Sequence, residues 1–187
     1  MNVQLNTNLK DADRFAKSIR SKVPQALKHA LNRTGQKVKT EASRGIRERY
    51  HIKAKDISPT LNLERASKDD MNVKVDSKGK NIPLIKFKTR PASMPKRRPK
   101  VLRATVKKDG GGNIPGAFIA RMKSGHTGVF LRAGRRRLPI KELYGPGPPI
   151  MLNNERIREK LEQNAREEMD KRFDHEVNRL LGKVAEK

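Results

Sequence analysis

The chain has no cysteine and no tryptophan, and among its 187 residues only five Phe and two Tyr. Without cysteine there are no disulfides, no thiolate nucleophile and no Cys-based zinc site, and the composition suits assembly in a reducing cytosol. No stretch approaches the ~18 consecutive apolar residues of a membrane span. The opening Met1-Asn2-Val3-Gln4-Leu5 lacks a basic segment followed by an apolar run, so a soluble chain without a standard export signal is expected. Apolar residues are also scarce, at 34% against 35% charged. Globular chains average about 45–50% apolar with Gly counted, so a modest core is expected, with exposed segments that need a partner to stay ordered.

Acid is what the middle of the chain lacks. The net charge is +25, and residues 77–141 alone hold 19 Lys and Arg with a single acid, Asp109. Residues 154–187 carry nine charges of each sign. A field so lopsided attracts polyanions over a Debye length of about 8 Å. Nucleic acid or an acidic protein surface is the natural partner.

Two N-terminal helices are expected. Residues 9–21 carry Asp11 and Asp13 in the first turn, with Phe15, Ala16 and Ile19 on one face. Pro24 suits the first turn of a longer helix, along which Leu27, Ala30, Leu31, Thr34, Val38, Ala42 and Ile46 recur every three or four residues. Gly35 and Gly45 weaken that helix by about 1 kcal/mol each, or admit another backbone; both readings are open. Strand candidates follow at 71–75, 84–88, 101–106, 117–120 and 128–131, the last two joined as a hairpin through Ser124-Gly125-His126-Thr127. The Pro- and Arg-rich stretch 90–99 reads as a loop or arm. Residues 144–150 read as a stiff linker. From about 154 a final helix of some 28 residues is expected, capped by Asn153 or Asn154. Ile157, Leu161, Ala165, Met169, Phe173, Val177 and Leu181 repeat along it, and interleaved Glu and Arg form a solvated face. The fold class expected is α+β: N-terminal helices, a central antiparallel sheet with basic loops, and a long C-terminal helix. Residues 1–153 form an α+β body and 154–187 a helix packed on it, as one structural domain.

The chemistry-bearing motifs are thin. Gly111 and Gly116 have the separation of a phosphate-binding loop, but Ala117 stands where its Lys belongs, which favours a plain β-β connection. His29, His51, His126 and His175 are scattered with no carboxylate at metal-ligand spacing. Asp69-Asp70 reads as a turn. A metal-dependent nuclease needs several carboxylates, and nearly half of these lie in the final helix. No catalytic, cofactor or metal site is expected. Three basic clusters remain: Lys96-Arg97-Arg98, Lys107-Lys108 and Arg135-Arg136-Arg137. An isolated cluster is usually a solvated charge run; three with one acid among them point to phosphates or to an acidic neighbour. Phe87, Phe118 and Phe130 sit as strand core, which leaves little aromatic surface for stacking single-stranded bases. Sequence-independent contact is what survives.

The stretch Asn113-Ile114-Pro115-Gly116-Ala117-Phe118-Ile119-Ala120-Arg121-Met122-Lys123-Ser124-Gly125 resembles the centre of the minor tail protein Z family of lambda-like long-tailed bacteriophages, in which an Ile-Pro-Gly-Ala-Phe-Ile strand precedes a short turn. The Arg-rich turn and the Leu138-Pro139-Ile140 that follows it are similar too, as are Leu84-Ile85-Lys86-Phe87 and its basic tract. The resemblance implies a structural, non-enzymatic tail-completion subunit of the virion, made in the host cytoplasm. It implies a place at the head-proximal end of the tail, near the DNA channel. Its partners would be other tail and neck proteins, such as a terminator and a connector, and it would form a ring, often six-fold. The proline-rich 146–149 departs from the pattern. Six copies would gather about +150, far more than the DNA in such a ring can neutralise at one charge per ≈ 1.7 Å. The alternative from another class is a non-specific nucleic-acid-binding protein of ribosomal or DNA-packaging type.

Overall fold

The expected break at Pro24 does not occur. In the computed structural model, which describes residues 9–97 and 101–185, one helix, α1, runs Leu9–Arg49 with Pro24 inside it. Proline removes a single helical hydrogen bond and crowds one carbonyl. The flanking Ala, Leu, Lys and Arg are strong helix formers and carry the helix through. Of the anticipated stripe, Ala30, Thr34, Ala42 and Ile46 are buried and Leu27, Leu31 and Val38 half-buried.

After α1 come α2 (Ala54–Ile57) and strands β1 (Leu61–Glu64), β2 (Lys74–Ser77), β3 (Ile82–Pro83), β4 (Lys88–Arg90), β5 (Val101–Thr105), β6 (Gly112–Pro115), β7 (Phe118–Arg121), β8 (Thr127–Arg132), β9 (Ile140–Glu142) and β10 (Tyr144–Gly145). Helices α3 (Pro148–Leu152) and α4 (Glu155–Ala185) close the chain, an α+β order. The strands form small sheets ordered β1-β2, β10-β3, β4-β5-β6 and β7-β8-β9.

The chain divides into two units, the first of residues 1–38, 63–75 and 162–187, the second of 39–62 and 76–161. In the first, the Asn32 side chain mimics a strand neighbour: its amide N–H donates to the Ala66 carbonyl at 3.1 Å, and its Oδ1 accepts from the Ala66 N–H at 2.9 Å. Gly35 is there for close approach, since a Cβ would run into Val73 and Leu63. Ser67 Oγ accepts from the N–H groups of Asp69 and Asp70 at 3.3 and 3.0 Å, confirming the turn.

The second unit holds the apolar core. Ile46, Ile57, Leu102, Val129 and Met151 are fully buried, packed with Phe87, Leu84, Ile119 and Ile157. Gly45 also gives room, for a Cβ would lie 3.3 Å from Ile157 Cγ2. The hairpin β7–β8 forms as expected, with the Met122 N–H bonded to the His126 carbonyl at 2.7 Å and Gly125 at φ +85°.

Five expectations about the middle of the chain need correction. Leu84–Lys86 is a turn of 3₁₀ helix, and the strand begins only at Lys88; Leu84 and Phe87 are both buried, a three-residue spacing that fits one helical turn and not a pleat. Residues 71–73 likewise precede β2. The span 144–150 is no free linker, since β10 pairs with β3 and Pro148 and Met151 are buried. Gly147 permits this, for a Cβ would sit 2.7 Å from the Lys80 carbonyl oxygen. The family-like Pro115-Gly116-Ala117-Phe118-Ile119 is not one strand. Pro115 ends β6, Gly116 at φ +76° turns the chain, Ala117 N–H bonds to the Ile114 carbonyl at 3.3 Å, and Phe118 opens β7. Gly112–Pro115 is itself a strand, so only the start of the glycine run is connection.

Helix α4 matches its expected start, but its stripe drifts. A four-residue repeat outruns the 3.6-residue turn, so it winds around the helix. Ile157 is buried, Leu161 to Val177 are half-buried, and Leu181 is 40% exposed. Glu176, three residues beyond Phe173 and seven beyond Met169, takes the buried place and pairs with Arg179 at 2.5 Å. The Asn154 side chain does not cap: its carbonyl accepts from Ile157 and Arg158 at 3.0 Å, while Oδ1 is buried without a partner.

Candidate polyanion-binding face

Strands β4, β5 and β6, all in the second unit, send alternate side chains to opposite faces. Thr89, Leu102 and Ala104 point to the core, while Lys88, Arg90 and Arg103 are exposed. The register sets Arg90 opposite Arg103, Arg103 opposite Asn113, and Lys88 opposite Thr105. Like charges directly across a ladder destabilise it by up to about 1 kcal/mol, so this face is assembled against electrostatic repulsion.

The end of α1 completes the arrangement. His51 N–H donates to the Val106 carbonyl and Lys108 N–H to the Arg49 carbonyl, each at 2.9 Å, around a Tyr50–Lys107 bridge. The result is a concavity of about 280 Å³ lined by His51, Lys88, Arg90, Arg103, Thr105 and Lys108. Five of these six are basic types, none is acidic, and among the described residues none of the five is in an ion pair. A second hollow of about 420 Å³ shares His51, Lys88 and Lys108 and adds Arg47, Lys53 and Lys86. Burial, then the positive charges of Lys88 and Lys108, hold the His51 imidazole below its ordinary pKa.

The clusters singled out from sequence are not gathered here. Lys96 and Arg97 are exposed in the irregular segment that leaves β4 at Arg90, and Arg98 lies outside the described residues. Lys107 and Lys108 diverge: Lys108 lines the basic concavity, whereas Lys107 lines another cavity with Tyr50, Gly110–Gly112, Tyr144 and Ile150. Arg135, Arg136 and Arg137 are exposed in the β8–β9 loop, closed by the Ala133 N–H to the Pro139 carbonyl at 3.0 Å, after which Ile140 opens β9 opposite Arg132. Sequence reasoning missed His51, Lys88, Arg90 and Arg103, because each is isolated along the chain. The signal was present in the period-two spacing Lys86-x-Lys88-x-Arg90 and in Arg103 alternating with Leu102 and Ala104.

A second polar group was also missed. Glu142 accepts from Tyr144 OH at 2.8 Å and holds His126 Nε2 at 2.7 Å, and the Tyr144 hydroxyl is raised above its usual pKa by that carboxylate. It ties the rim of the β7-β8-β9 sheet together, beside Phe118 and Phe130 at 6.2 Å and Arg132 over the Phe118 ring at 5.8 Å.

Fold and charge together define a basic α+β protein. The family model described as prophage minor tail protein Z (GPZ) matches residues 8–187, and the chain belongs to that family. No match is found among curated proteins or among solved structures. Membership makes the chain a structural protein of the phage tail, a virion component that interacts with other tail components.

Proposed function

We propose that this chain is a tail-completion subunit, seated at the head-proximal end of the tail and assembling as a ring, six-fold by analogy with that position in tails, between tail and neck beside the DNA channel. The observation that carries the reading is the acid-free outer face of β4–β5 with the basic concavity at its end. In a tail protein, an uncompensated cationic face needs a polyanion opposite it, and the tail channel is where DNA passes. Lys96, Arg97, Arg98, Lys107 and Arg135–Arg137 add charge for DNA or for acidic neighbouring rings such as the terminator and connector. A free nucleic-acid-binding protein could use the same face, but family membership favours the tail. Electron cryomicroscopy of virions carrying a tagged chain tests this. Tag density at the neck, with heads and tails failing to join when the chain is withheld, is the expected result. Tag density at the distal tip would overturn it.

A further inference from the structure

We infer that the concavity formed by His51, Lys88, Arg90, Arg103, Thr105 and Lys108 is a phosphodiester-binding site that seats the backbone of duplex DNA without reading its sequence. The inference rests on the reading of a DNA-facing subunit and deepens it by naming the atoms. It moves the phosphate contact away from the exposed loop clusters and onto the sheet.

Three features of the site point to phosphate. Its donors differ in kind: two guanidinium forks, two ammonium groups, an imidazole and a neutral hydroxyl. Arginine forks match the oxygens of a phosphate in pairs, while lysine supplies charge without fixed geometry. The site is also anchored on regular structure. Arg90 and Arg103 are held in register across β4–β5, and His51 and Lys108 by backbone bonds of 2.9 Å. By contrast, Arg135–Arg137 project from a loop, whose backbone has no ladder to hold it and must be ordered on contact. Finally, the cations extend beyond a single pair: Lys88 stands two residues from Arg90 on β4, Arg103 is opposite Arg90, and His51, Lys88 and Lys108 line both hollows. Cations spread over two adjoining hollows suit a repeating backbone of phosphates better than a single anion. Base readout has no means here, since the face carries no recognition helix in a groove and its polar neighbour Asn113 lies on a short edge strand.

The test is a fluorescence titration of the full chain with a labelled mixed-sequence DNA duplex over a salt series. The variant R90Q/R103Q is compared with R156Q/R166Q, an exposed α4 pair of equal charge, and with R135Q/R136Q/R137Q; circular dichroism checks each fold. R90Q/R103Q is expected to weaken binding roughly tenfold and to flatten the log K against log salt slope by about 0.9 per lost phosphate contact. R156Q/R166Q should leave the slope unchanged. A second variant, K88Q/K108Q, should repeat the loss, so a folding failure of one pair does not remove the test. Pyrophosphate should compete with the duplex for the wild-type chain. Equal losses in R90Q/R103Q and R156Q/R166Q would reduce the effect to net charge and overturn the site. So would binding of poly-glutamate with the same Arg90 and Arg103 dependence, which would make the occupant an acidic protein. This titration reads the concavity alone; a tag found away from the neck would overturn the placement and leave a positive titration standing.

Discussion

The second unit and the first are built on different terms. The second joins sixteen buried residues in one apolar cluster, with Ile, Leu, Val, Phe and Met prominent. Among the residues of the first whose burial is described, the buried ones are Ala26, Ala30, Thr34, Gly35, Ala66 and Glu176, all small or polar. Charge follows the core: the second unit carries 28 basic and eight acidic residues, the first 17 and twelve. A cationic surface destabilises itself by repulsion, and only a unit with enough buried apolar area can hold one in shape. Burial of about 25 cal/mol per Å² supplies that margin in the second unit, whereas the first relies on close helix contacts and on Asn32.

The largest effect should come from the core. Leu102→Ala, which empties a fully buried site, is expected to cost about 2–5 kcal/mol, read by thermal and urea unfolding; a loss below about 1 kcal/mol would mean that the cluster is not cooperative. The two helix glycines divide the units more finely. Gly35→Leu should destabilise by about 1–3 kcal/mol through overpacking against Val73 and Leu63. Gly45→Ala should be neutral or stabilising, because its Cβ meets only Ile157 while helix propensity gains about 1 kcal/mol. Equal responses at both would break the contrast. Hydrogen exchange offers the direct comparison: amides of 26–34 and 165–180 should exchange faster than those of 42–50, 101–105 and 127–132. Uniform protection would show one cooperative body.

A pH series sharpens the electrostatic half. The charged groups that share the two hollows with His51 are Arg47, Lys53, Lys86, Lys88, Arg90, Arg103 and Lys108, of which Lys86 is paired with the Asp56 carboxylate at 2.7 Å. Because its folded pKa is held down, its contribution to stability is present above the ordinary imidazole value of 6.5 and is lost as pH falls from there through the lowered folded value. The free protein should therefore lose melting temperature modestly as pH falls below 6.5. A bound duplex welcomes the protonated ring, so duplex affinity should rise over the same interval. His51→Gln should abolish both trends, and persistence of either would assign it to another group. The smallest effect belongs to Glu48, whose carboxyl is lowered chiefly by its bond to Lys160 at 3.1 Å. Both side chains are largely exposed, so Lys160→Ala should change stability by less than about 1 kcal/mol and still less in high salt.

Helices at both ends, the β7–β8 hairpin, strand β5, the Asp69-Asp70 turn and the basic middle were legible because each rests on local signals: period, turn residues and charge counts. The continuity of α1 through Pro24 was not, because a local rule cannot weigh one lost bond against forty residues of helix. Leu84–Lys86 misled because an apolar triplet satisfies a pleat and a 3₁₀ turn alike until its neighbours are known. The eight cluster residues were chosen for adjacency along the chain, and adjacency is a poor guide in a sheet, where neighbours across the ladder are thirteen residues apart, as Arg90 and Arg103 are.

By itself the sequence determined the class of the protein, the sign and location of its charge, and the alternation that would put Leu102 inward and Arg103 outward. Only the tertiary structure decided which cations share a surface. Coulomb energy depends on distance in space, and strand register together with the docking of His51 and Lys108 sets those distances.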